Sequence, residues 1–475
     1  MTTSKTISSR HPNPASSAPS PSPEKASLSL SIVPQHIIGR SFGIDNQPGE
    51  MSWFSARYSL TVGTFILIAG RLGDDFGHKR FFVGGYTWYG LWSALAGVAV
   101  YSGPEFFIFC HAMQGIGPVF LLPNAIAVLG RSYDPGCPQD MILSLFGATA
   151  PGGFLLGAFS SLISQMAWWP WLYWVLRFAC LLLALLGMFI IPTTPPSSNS
   201  EHESFSVWQC VDVLGSVTGV AALVLFNSAW NQGPAVGWRT PYMYSIMIFG
   251  IVIFILFVLI EKRVPHTLIP FNVLEIESLF TLACISGGGS SFGIFVFYIW
   301  NLLEVLRGQP PLLTSSQFVP VAISGLFAAV TTGLILSHTR ASAVMFISMS
   351  SFLIGGIIFA TIAVHQIYWG QTFVGIVVIS WGMDMYFTAA TIIISRAMPR
   401  RHQGLAASLV NTFVTTLSPS GSGLPAQSSR RSMMEGKMFY EVTEALSTWV
   451  SVSLPWSKAP EKEAQEMSQP QEEHV

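Results

Sequence analysis

The chain has 475 residues, 51% hydrophobic and 10% charged, with a formal net charge of -1. A soluble globular chain carries about 25% charged residues, so most of this surface meets something other than water. The near-neutral balance argues against nucleic acid as a partner. Five cysteines, at 110, 137, 180, 210 and 284, form no C-x-x-C pair and no Cys/His ligand spacing, which argues against a metal centre or a disulfide framework.

In chain order, residues 1–30 are rich in Ser and Pro and lack the apolar core of a signal peptide, which predicts a disordered tail. Segment 27–39 is short and partly polar. Apolar runs follow near 53–70, 81–101, 106–130, 141–164, 170–191, 210–229, 242–260, 279–303, 315–336, 342–363 and 371–394. A helix needs about 20 residues to cross hydrocarbon. Only helices and closed barrels satisfy the backbone there, and continuous apolar runs select helices. The expectation is an all-α polytopic membrane protein. Two later segments are marginal: 404–417 stops at a Ser/Pro/Gly stretch, and 438–456 carries Glu441 and Glu444.

Lys and Arg in short loops set the orientation. Alternate loops hold Arg71, Lys79, Arg80, Arg131, Lys262, Arg263, Arg340, Arg396, Arg400 and Arg401, and the opposite set holds Arg239 and Arg307. The first set is expected in the cytoplasm. Trp168, Trp169, Trp171, Tyr173 and Trp174 then form an aromatic belt at the outer face. Run 53–70 must cross inward, which leaves Lys5, Arg10, Lys25 and Arg40 outside unless segment 27–39 also spans.

Residues 70–80, GRLGDDFGHKR, place Gly70, Asp74, Gly77, Lys79 and Arg80 between the first two long runs. The glycines permit a tight turn and close helix approach. Asp74 is placed to accept hydrogen bonds from a neighbouring helix N-terminus. This stretch resembles the signature loop of the major facilitator superfamily. His111-Ala-Met-Gln114-Gly-Ile-Gly is similar to the family's fourth-helix motif, with His111 in place of the usual Arg. The resemblance implies proton coupling there, and packing is the alternative. Gly147, Pro151, Gly152, Gly153 and Gly157 resemble the fifth-helix antiporter signature, where Pro permits a kink and small residues a close seam. Asn227 to Trp238, with Trp230, Asn231, Gln232, Gly233 and Gly237, closes a span on the outer side. With the stretch around Asp384 it resembles the fungal 14-span branch of drug:proton antiporters, which includes aminotriazole-resistance, boron-export and low-affinity ammonium transporters.

The resemblance runs from about 31 to 417. It implies an N-terminal bundle over 31–191, a cytoplasmic linker over 192–206 and an extra helix pair over 207–262. A C-terminal bundle over 263–417 lacks its last helix, and 418–475 forms an irregular tail. Gly333 to Arg340 reads as a degenerate second copy of the signature. Such carriers hold substrate near the midplane between the halves.

Asp384 lies near the middle of run 371–394, with Ser380, Thr388, Thr391 and Ser395 on the same helical stripe. An acid at the bilayer centre costs about 2.5–3.5 kcal/mol on insertion scales, so it is expected to line a cavity. A buried helix–helix hydrogen bond is the alternative. Asp212, Glu277 and Glu304 lie near helix ends and are expected to reach water, whereas Arg177 is deeper, and snorkelling and a private substitution are its two readings.

An ATP-driven pump is disfavoured by the absence of a G-x-x-x-x-G-K-[ST] loop. The filter-like Thr61-Val-Gly-Thr-Phe sits inside a plain helix, which argues against a channel. The expectation is therefore a non-enzymatic secondary transporter, a monomer that exports its solute on a proton gradient without a cofactor. Its partners are lipid, protons and a small solute: a drug, a weak base, borate or ammonium. The plasma membrane is the expected location, with the vacuolar membrane second. The competing expectation is a truncated, transport-inactive or sensor-like carrier.

Overall fold

The computed structural model describes residues 35–44, 48–133, 136–149, 152–153, 160, 163–164, 167–191, 212–236, 240–263, 276–398 and 402–416. The two expected tails, the 192–206 linker and segment 438–456 lie outside them, as do Pro151, Gly157, Gly237 and Trp238. Every regular element among the described residues is a helix.

Short α1 (Gln35–Ser41) precedes α2 (Pro48–Phe76) and α3 (His78–Val98). Next, α4 (Pro104–Gln114) and α5 (Ile116–Ser132) share one span with a break at Gly115, followed by α6 (Cys137–Gly147) and α7 (Pro170–Ile190). A hairpin of α8 (Val213–Val236) and α9 (Pro241–Glu261) leads to α10 (Ile276–Trp300). Then α11 (Pro311–Gln317), α12 (Val319–Leu336), α13 (Ala341–Ala360), α14 (Phe373–Ala397) and α15 (Gln403–Thr416) complete the described chain. Proline sits in the first turn of α4, α7, α9 and α11, where its missing N–H would have had no helical partner anyway.

Seven described stretches are long and apolar enough to cross a membrane: Pro104–Ser132, Pro170–Ile190, Pro241–Glu261, Ile276–Trp300, Leu313–Leu336, Ala341–Ala360 and Tyr368–Ala397. The chain is a multi-pass membrane protein. The described parts of runs 53–70, 81–101 and 210–229 are mainly helical, but α2 and α3 dilute their apolar residues with Gly, Trp, Tyr and Arg, and α8 is strongly apolar only over Leu214–Ala229; of run 141–164 the described part carries α6 to Gly147.

Helices α2 to α7 pack on one another, as do α10 and α12 to α15. The α8–α9 pair leans on α2 through α8. Along α9, Ile248, Phe249, Ile251, Val252, Phe254 and Ile255 stay exposed, as expected of a helix bathed in hydrocarbon.

Several expectations change in detail. The signature stretch is not a loop: α2 continues to Phe76, and the chain turns only at Gly77, whose φ of +100° favours glycine. Segment 27–39 contributes α1, whose Ile38 is buried beside Phe54, Phe107 and Trp169. The aromatic belt is half core. Trp168 and Trp171 are exposed, but Trp169 and Tyr173 pack inward against Phe107. Asp212 is buried rather than wet, and its Oδ1 accepts a hydrogen bond from Gly215 N at 3.1 Å, capping α8. Glu277 is exposed as expected; Arg177 is exposed on α7, as are Val175 and Phe178.

Lys79 and Arg80 open α3, whose other end, at Gly97, meets Trp174 of the 168–174 aromatic cluster. In a cysteine-free background, single cysteines at Lys79 or Arg340 should resist a membrane-impermeant maleimide added to intact cells, whereas one at Trp168 should react. Labelling at 79 or 340 would reverse the topology.

Candidate functional site

The bundles meet along a seam at the basic end, where α2 lies against α15. A Cβ built on Gly70 would overlap the carbonyl oxygen of Gly404, and one on Gly404 would come 2.5 Å from the oxygen of Gly70. Only two glycines let these backbones touch. Gly70 N donates to Ser408 Oγ at 2.9 Å. One turn further, the Asp74 carboxylate accepts hydrogen bonds from Gly404 N at 3.2 Å and Leu405 N at 3.0 Å. A carboxylate of one bundle thus caps a helix of the other, favoured by the helix dipole. Arg131 of α5 donates to Asp74 Oδ1 at 2.6 Å, balancing its charge.

A second contact joins α6 to α12 and α14. A Cβ on Gly333 would lie 3.1 Å from the Met141 Cα, so α12 and α6 approach closely there. Arg396 Nη2 donates to Asp140 at 2.9 and 3.0 Å. Burial pushes the Asp140 carboxyl above its ordinary range, and the neighbouring Arg396 pulls it back only in part. Asp140 therefore loses its charge at a higher pH than an exposed aspartate would, so acid weakens this pair early.

Gly147 of α6 faces α14, where a Cβ would lie 2.8 Å from Thr388 Oγ1 and 3.9 Å from the Asp384 carbonyl oxygen. The Asp384–Thr388 turn therefore lies where the bundles meet, and Asp384 is buried. The expected polar stripe is quieter than its sequence implies. Ser380, Thr388 and Thr391 each donate to the carbonyl one turn back on α14, and Ser395 bonds Gln403.

His111 lies elsewhere, inside the first bundle. Its Nε2 is 3.0 Å from the Tyr173 hydroxyl, and the rings of Phe107, Tyr173 and Tyr58 surround it with centroids 4.8, 5.6 and 6.4 Å away. Gln114 donates to Ser93 Oγ at 2.8 Å. Lys79 and Arg80 follow Gly77 on α3. Gly152 and Gly153 are helical, and Trp230 to Gly233 lie within α8.

Sequence reasoning missed three partners. Gly404, two residues after the basic cluster 400–402, carried a local signal as a glycine in the first turn of an apolar helix. Arg131 and Asp140 carried none, because their partners are 57 and 256 residues away.

Residues 26–422 match the family model described as Major Facilitator Superfamily. The chain is similar to the low affinity ammonium transporter of Saccharomyces cerevisiae, with 59% identity over 391 residues, 82% of this chain and 76% of that protein. It is similar to an efflux pump of Aspergillus terreus, with 45% identity covering 84% and 76% of the two chains. It also resembles the aminotriazole resistance protein of Saccharomyces cerevisiae, with 36% identity covering 81% and 70%.

Proposed function

The chain belongs to the major facilitator superfamily and is a membrane transporter rather than an enzyme, and from that premise we propose that it is a secondary carrier exporting a small solute in exchange for protons. The observation that supports this reading most is the seam, in which Asp74 of one bundle caps α15 of the other across touching glycines. Alternating access requires such a contact to form and part in every cycle.

The energies suit that task. A carboxylate at a helix N-terminus contributes up to about 2 kcal/mol where, like Asp74, it is largely buried. The Arg396 side chain is 49% exposed, so its pair with Asp140 contributes at most about 1 kcal/mol. Contacts of this size hold a state without trapping it. With the basic end facing the cytoplasm, the closed seam corresponds to a carrier open outward.

Asp384 is the proposed proton carrier, with Ser380, Thr388 and Thr391 along the solute path. A weak base such as ammonium or an organic amine is the proposed substrate class, supported by the ammonium-transporting relative and the efflux pumps. Borate is the competitor. The proposed location is the plasma membrane.

Reconstituted protein tests this with methylammonium, borate and a cationic dye under an imposed pH gradient. At least one should move faster than in protein-free vesicles, and the rate should follow the gradient. Equal rates with and without protein for every probe would overturn the reading.

His111 is the second proposed proton group. If it takes part, gradient-driven flux should depend differently on pH in wild type and in His111→Gln. Superimposable profiles would assign the ring to packing.

A further inference from the structure

One buried titratable group stands outside the path through Asp384. His78 opens α3 directly after the Gly77 turn, and it is 2% exposed. Its Nδ1 lies 2.7 Å from Asn124 Oδ1. Asn124 Nδ2 donates to the Phe120 carbonyl at 2.7 Å, which fixes the orientation of the amide. The atom turned toward His78 is therefore an acceptor, and His78 Nδ1 must carry a hydrogen. The other ring nitrogen, Nε2, lies 3.4 Å from Asp74 Oδ1. A neutral ring turns a lone pair toward that carboxylate, and only a second proton makes Nε2 a donor. The site is built for this pair: a Cβ at Gly73 would overlap Asn124 Oδ1 and come 2.6 Å from His78 Nδ1.

We propose that His78 is a proton-binding site on the cytoplasmic face, separate from the transport path, and that its occupancy loosens the seam between the bundles. The sign follows from the charges facing it. On α2 stand Asp74 and, beyond it, the Arg71–Asp75 pair. Helix α5 contributes Arg131, already bonded to Asp74. Lys79 and Arg80 follow on α3, and α15, preceded by the half-buried His402 and without a charged side chain over 403–416, presents its N-terminal N–H groups to Asp74. Asp74 is already shared between Arg131 and the positive end of α15. A second cation against that carboxylate competes with the α15 N–H groups for it and repels the α15 terminus. The proton thus binds better when the seam is parted, and by linkage cytoplasmic acid shifts the population toward the parted state. A rise in cytosolic protons would then turn the carrier inward, where solute is loaded.

This inference uses the two-state seam of the proposed function but not its substrate, so it is tested without flux. Full-length protein in nanodiscs would carry spin labels at the native, exposed Cys137 of the first bundle and at Thr339→Cys of the second. The other four cysteines would be replaced by serine. Between pH 8 and pH 6, the long-distance population should rise severalfold in the wild-type background. His78→Gln should lose most of that rise, and His78→Arg should show the raised population already at pH 8. Asp140, whose pair with Arg396 also weakens in acid, remains intact in both variants, so any response it carries survives in His78→Gln. A full wild-type response in His78→Gln would overturn the proposal. So would a His78→Arg protein as closed at pH 8 as His78→Gln.

Discussion

Gly70→Val is expected to reduce transport at least fivefold while leaving the protein in the membrane. The Cβ position at Gly70 is already occupied by the Gly404 carbonyl and the Ser408 hydroxyl. A valine cannot be relieved by a rotamer change, because the first obstacle is backbone. Helices α2 and α15 must move apart, stretching the hydrogen bonds from Gly404 N and Leu405 N to Asp74. Overpacking of this kind costs about 1–3 kcal/mol, which is roughly 5- to 150-fold in the population of the closed seam. The cost falls on one state of the cycle, so folding of each bundle should survive. Gly84→Ala is the matched control, since nothing lies within 4 Å of its Cβ position. The Cys137–Thr339 distance should lengthen in Gly70→Val and not in Gly84→Ala. Wild-type flux in Gly70→Val would show that this contact does not need to close.

The fold was legible because lipid leaves few choices. Long apolar runs and the asymmetry of Lys and Arg suffice to mark the helices and their alternation. Helix ends were less legible. The charged stretch 70–76 looks like a loop by polarity, yet it remains helical because Asp74 and Arg131 satisfy each other and α15 takes the remaining acceptor capacity. Tryptophans at a helix end suggest a belt, but Trp169 and Tyr173 point inward because Phe107 and Phe54 offer an aromatic core at the same level.

The candidate site was legible residue by residue and not as an arrangement. Asp384 stands out as an acid in an apolar helix. The hydroxyls beside it looked like a polar path, but a serine or threonine inside a helix often bonds the carbonyl one turn back, as Ser380 and Thr388 do. Gly70 was visible as part of a motif. Its contact with Gly404, 334 positions further on, emerges only from folding.

The largest effect is expected at Asp384. Its carboxyl is buried midway along α14, in the turn that faces Gly147 across the bundle interface. A charge at that depth costs about 2.5–3.5 kcal/mol on insertion scales. A group that is neutral in one state of the carrier and charged in the other can therefore tie a proton to the exchange of states. Asparagine keeps the size and polarity of the side chain and removes the proton. Asp384→Asn should fold, reach the membrane and still exchange labelled for unlabelled solute across vesicles at equal pH, because that exchange needs no net proton movement. Uphill movement driven by a pH gradient should fall at least a hundredfold. The decisive measurement is gradient-driven flux of the transported probe in proteoliposomes, wild type against Asp384→Asn, with equal-pH exchange recorded in the same preparations. Proton coupling through Asp384 predicts that uphill flux is lost and exchange is kept. Uphill flux at the wild-type rate in Asp384→Asn would contradict it.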